Sequence, residues 1–135
     1  MTTPFKAIRN TDLPHAFRQI RLELAREPGH PEGDHGIAYV VLAPLDAEGR
    51  IDAQLWHKHR DACRVARLRP GAEDERGHLV HRRSGSWAFT YDVAGASADE
   101  SGFHFSNERF VPGEYVSIKE ADGFHAFRVA SVASL

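Results

Sequence analysis

The stretch that most restricts the fold lies near the C-terminus, FVPGEYVSIKEADGFHAFRV from Phe110 to Val129, running on through ASV to Val132. It reads as two strands flanking Asp122-Gly123, the dipeptide that best supplies the positive φ angles of a tight type I′ turn. A two-residue loop there sets Ile118 opposite Phe127 and Val116 opposite Val129, with Glu120 facing His125. Side chains alternate along a strand, so these residues share one face. The other face carries Tyr115, Ser117 and Lys119 against Phe124, Ala126 and Arg128. One face is built for a core, and the rest of the chain must supply the opposing wall. That constrains a fold and assigns no activity.

Upstream, residues 12–27 are expected to form an amphipathic helix. Thr11 or Asp12 serves as N-cap, Pro14 sits in the first turn, and Leu13, Phe17, Ile20 and Leu24 recur at helical spacing. Pro28-Gly29 stops it. Ile37 to Ala43 is apolar on both faces, which predicts a central strand with the sheet interior on one side and the helix on the other. Pro44 ends that strand. Asp52 is a good N-cap for a short second helix from Ala53 to about Ala62. CRVARLR then alternates as a strand up to Pro70-Gly71. A hairpin follows from His78 to Asp92, turning at Ser84-Gly85-Ser86. A two-residue loop groups His78, Val80 and Arg82 with Trp87, Phe89 and Tyr91 on one face, whereas a three-residue loop flips one strand against the other. Phe103 to Phe105 is a short strand. The sum predicts an α+β, mostly β fold: a small antiparallel sheet or partly closed, SH3-like barrel with an N-terminal helix and a short second helix.

With 135 residues the chain fits one domain, 1–135, large enough for a core without disulfides or metal. Apolar residues at 41% are too many for wholesale disorder. The longest apolar run is too short to span a bilayer, and MTTPFKAIRN lacks the apolar stretch of a secretion signal. Cys63 is the only cysteine, which fits a reducing cytoplasm. A net charge of −2 does not advertise nucleic acid, although Lys58, Arg60, Arg64, Arg67 and Arg69 stand close together.

The segments APLDAEGRIDAQLW, KHRDACRVARLRPG, FVPGEYVSI and FRVASV resemble a family of small bacterial proteins of unknown function. The resemblance covers most of residues 36–133. It implies a bacterial cytoplasmic domain and brings no activity, cofactor or catalytic residue with it.

Three chemistries compete. Nine histidines raise the question of metal. His57 and His59 are spaced for a strand but sit in an expected helix; His78 and His81 are spaced for a helix but sit in an expected strand. His30, Asp34 and His35 share a loop and form the freer candidate set for zinc, completed by a distant histidine such as His78 or His104. They define the alternative of a small metal-assisted enzyme; no cofactor is otherwise predicted. Cys63 is a candidate nucleophile, with a buried small hydrophobe as its ordinary role. His78, Arg82, Trp87 and Tyr91 form a candidate ligand or partner surface, which for single-stranded nucleic acid requires exposed Trp87 and Tyr91 rings. With no catalytic signature, the leading expectation is a non-enzymatic binding module for another protein, a second copy or a small ligand. Its pocket is expected where the 28–36 loop meets the His78/Trp87 hairpin.

Overall fold

Alternation, and not helical spacing, governs the first element described. The computed structural model describes residues 14–91 and 104–135, and it begins with strand β1, Phe17–Leu24. Ile20, Leu22 and Leu24 are buried while Arg21 and Glu23 point away. The expected N-terminal helix is therefore corrected over these residues; its first two residues lie outside the described range. The stripe Phe17, Ile20, Leu24 coincides with helical spacing, but Leu22 falls off it, and I-R-L-E-L is a strand pattern. Strand partners on both sides decide the matter, β2 (Asp34–Pro44) and β8 (Gly123–Ser134). Phe17, outside the alternation, is met by the edge of the His59 ring, with centroids 5.7 Å apart.

The other strands are β3 (Arg64–Leu68), β4 (Glu75–His81), β5 (Trp87–Tyr91), β6 (His104–Phe105) and β7 (Tyr115–Glu120). Each pairs antiparallel with the next and β8 returns to β1, which closes a barrel in up-and-down order. The thinnest link is β6, whose pairing to β7 is His104 with Lys119. The mostly β expectation holds. So does a curled antiparallel sheet; the N-terminal helix is what changes, since that segment is instead a strand of the barrel wall.

Both hairpins adopt registers that differ from the expected ones. In the last hairpin Val116 pairs Phe127 and Ile118 pairs His125, with Glu120 opposite Gly123. The loop is thus Ala121-Asp122, and the left-handed residue is Gly123 alone, at φ +127°. A type I′ turn would need Asp122 at positive φ as well, a conformation that costs a non-glycine residue and that no described non-glycine residue adopts. The slip is two residues, an even number, so both faces survive as expected. In the β4–β5 hairpin His81 pairs Trp87 and Gly77 pairs Tyr91. Arg82 N–H donates to Ser86 O, leaving a three-residue loop with Gly85 at φ +90°. That odd count flips the strands: Gly77, Leu79 and His81 share the inner face with Trp87, Phe89 and Tyr91, and His78 looks outward.

The core fills the barrel with Ile20, Leu22, Val41, Leu79, Phe89, Phe105, Val116, Ile118, Phe127 and Val129, all nearly sealed from solvent. One end is plugged by helix α1 (Ala53–Lys58), capped as expected by Asp52, whose Oδ1 accepts from Gln54 N and Leu55 N. A single 3₁₀ turn, Arg60–Ala62, follows it. Trp56 Nε1 donates to Leu79 O at 2.9 Å, and its ring meets Trp87 edge-on at 5.5 Å while His81 stacks on Trp87 at 4.1 Å. Gly77 permits a close approach of β4 to β5, since a Cβ there would lie 2.0 Å from Thr90 O.

Candidate functional site

The outer wall of β1–β4 departs from the usual polar exterior of a barrel. Along β2 the inward Tyr39, Val41 and Ala43 are buried, and the outward Val40 and Leu42 are apolar too and half-buried. This is the run that read as apolar on both faces, and no helix covers its outer side among the described residues. Cross-strand pairing places Gln19 beside Leu42, Arg21 and Ala66 beside Val40, Arg76 beside Ala66, and His78 beside Arg64. The result is an open cleft of about 310 Å³ with Val40, Leu42 and Ala66 on its floor and Gln19, Arg64, Arg76 and His78 on its walls. Arg64 is steadied through Nε, which donates to Asp61 O at 3.1 Å. Arg76 is exposed. Among the described residues, no carboxylate, hydroxyl or thiol side chain lines the cleft.

The barrel end opposite α1 is polar. Tyr39 OH donates to Glu120, which is buried and also accepts from Arg69 Nη2 at 3.1 Å. Arg67 donates to Glu75 at 2.6 Å and lies 3.9 Å from Glu120. His125 sits between Glu27, 2.8 Å from Nδ1, and Asp122, 2.7 Å from Nε2. Hydrogen bonds to these two carboxylates push the His125 imidazolium up to about 9, so both ring nitrogens carry protons at neutral pH. Asp122 is correspondingly held below the ordinary carboxylate range, chiefly by its bond to His125. Burial raises the Tyr39 and Tyr91 hydroxyls well above their usual range, so both remain neutral donors. Buried charges of this kind are stable only when paired, and here each carboxylate has a cation.

Of the residues singled out from sequence, His30, Asp34 and His35 are not brought together as ligands. His35 is largely exposed and bonded through Nδ1 to Glu23 at 2.7 Å; Asp34 Oδ1 accepts from Gly36 N; His30 lies 3.9 Å from Glu27. Burial would raise the Glu23 carboxyl, but its hydrogen bonds to Arg21 and His35 prevail and lower it. Asp34 and His35 line a second cleft of about 350 Å³ together with Glu23, Glu32, Arg26 and Arg128. Its neighbours are Tyr115 and Arg128 of the last hairpin, so the 28–36 loop does not meet the His78/Trp87 hairpin as expected. Among the described residues, the group with ligand atoms close enough for one ion is Glu120, Asp122 and His125, all within 4.8 Å of one another. The His125 imidazolium already pairs with Asp122 there, without a metal ion.

The expected surface of His78, Arg82, Trp87 and Tyr91 is corrected. Trp87 is 1% exposed and Tyr91 8%, both on the inner face, so neither ring offers a stacking platform. The three-residue loop is the cause. His78 alone of the four lines the outer cleft, beside Arg64 and Arg76. Cys63 is fully buried, and burial pushes its thiol up to about 12, the behaviour of a small core residue and not of a nucleophile. Sequence reasoning missed Val40, Leu42 and Arg76 as a unit. The signal was present in IAYVVLA, whose outward half had no other place to be buried.

A scan against protein-family models and searches of the curated proteins and of the solved structures find no match to this chain. No helix among the described residues is long and apolar enough to cross a membrane.

Proposed function

We propose that this protein is a non-enzymatic binding module and that its binding surface is the cleft on the outer wall of β1–β4. The observation that carries this reading is the composition of the cleft. An apolar floor stands open among hydrogen-bond donors, and among the described lining residues the imidazole of His78 has no carboxylate, hydroxyl or thiol to work with. Small-ligand sites combine apolar lining with a few polar groups and begin at volumes of about 300 Å³. The polar barrel end has the opposite character, because its carboxylates Glu120, Glu27 and Asp122 are each paired internally with a cation. It holds the strand ends together.

The test is a map of backbone amide shifts against a panel of small organic fragments of both charges. The reading expects the fragments that bind to perturb Gln19, Val40, Leu42, Ala66 and Arg76 together. Shifts converging on Tyr39, Arg69 and His125 instead would place the binding site at the barrel end and overturn it.

A further inference from the structure

We infer that the cleft takes a small amphipathic organic anion, one carboxylate or phosphate head on an apolar chain; this rests on the cleft being the binding surface. The argument is one of complementarity. Two guanidinium groups, Arg64 on β3 and Arg76 on β4, flank the same apolar floor from neighbouring strands, and the remaining polar wall residues are Gln19 and His78. A chain of net charge −2 thus concentrates positive charge, with no carboxylate among the described lining residues, beside the outward apolar residues Val40 and Leu42. A cation gains nothing there. A neutral apolar molecule uses the floor alone and leaves both arginines unused. An anionic head can accept a charge-assisted, bidentate bond from either arginine while its chain covers Val40, Leu42 and Ala66.

The geometry also bounds the ligand. Four adjacent strands span about 14 Å at 4.7–4.9 Å per spacing, so the floor accommodates a chain of medium length and no long one. Two neighbouring acids are already paired elsewhere. Glu23 is committed to Arg21 at 2.7 Å and to His35, and Glu75 to Arg67 on the inner side.

The experiment titrates the full chain with octanoate, octylamine and octanol, following amide shifts, and repeats the octanoate series with Arg76→Gln. Arg76 is exposed, so the variant keeps the fold, which its unperturbed inner-face resonances verify. The inference expects saturable shifts at Val40, Leu42 and Ala66 with octanoate and affinity at least tenfold weaker for octylamine. Arg76→Gln should weaken octanoate about fivefold or more. Affinity should rise about fourfold per methylene from butyrate upward and level off once the chain outgrows the floor. Equal binding of all three amphiphiles at the cleft would keep the binding surface and overturn the anion. Absence of shifts at the cleft with all three would overturn both.

Discussion

Replacing His125 by Gln should flatten the dependence of stability on alkaline pH. In the folded protein His125 is clamped between Glu27 and Asp122 and titrates at about 9, against an ordinary value of 6.5. A histidine whose pKa is raised by folding binds its proton more tightly in the native state. The stabilisation is therefore complete below pH 6.5 and is lost as pH rises toward 9. The rise corresponds to about 3 kcal/mol at roughly 1.4 kcal/mol per pH unit. Asp122 is 74% exposed, so solvent screens that half of the clamp. We expect about 1–2 kcal/mol, which for a domain of this size means roughly 3–8 °C in melting temperature. The assay is thermal melting of both proteins between pH 6 and 8.5. The upper limit avoids the Cys63 thiol, whose ordinary value is 9.0 and which contributes its own loss above that. Wild type should lose this margin across the window and His125→Gln should not. Parallel curves for the two proteins would refute the assignment of the imidazolium to the clamp.

Gly77→Ala should destabilise the fold by about 3 kcal/mol in urea, because the new methyl would meet the Thr90 carbonyl at 2.0 Å and the Tyr91 Cα at 2.7 Å, both backbone. Arg76→Ala next to it, exposed, should stay within about 0.5 kcal/mol of wild type. Cys63 should resist thiol reagents in the native state and react at once in denaturant; rapid labelling without denaturant would contradict its burial. Zinc at pH 6.5 should not raise the melting temperature, since an ion at Glu120, Asp122 and His125 must first displace the His125 proton. A rise abolished by His125→Gln would reverse that reading.

What was legible in the sequence depended on how many constraints acted at once. Asp52 as a cap, the strand from Arg64 to Leu68 and the terminal hairpin each had a turn or cap residue agreeing with the hydrophobic pattern. The first strand had a pattern compatible with two periods, and only its pairing with β2 and β8 decided it, which is information from far along the chain. The β4–β5 face turned on a single residue of loop length, so an odd count moved Trp87 and Tyr91 from an expected surface into the core. The two-residue slip at Gly123 did no such harm, because it was even. The cleft was hidden for a related reason. Its parts come from four strands, and the outward apolar half of β2 read as the contact for a helix that the fold does not contain. Without the register, Arg76 had no visible connection to Leu42.

The most direct test of the proposed binding cleft is a charge exchange at its walls. In the double variant Arg64→Glu, Arg76→Glu the apolar floor of Val40, Leu42 and Ala66 is kept and only the sign of the walls changes. Calorimetric titration should then show the preference inverted, with octylamine bound at least tenfold more tightly than octanoate. An unchanged preference for octanoate, in a variant whose circular dichroism matches wild type, would show that the anion is held elsewhere on the protein.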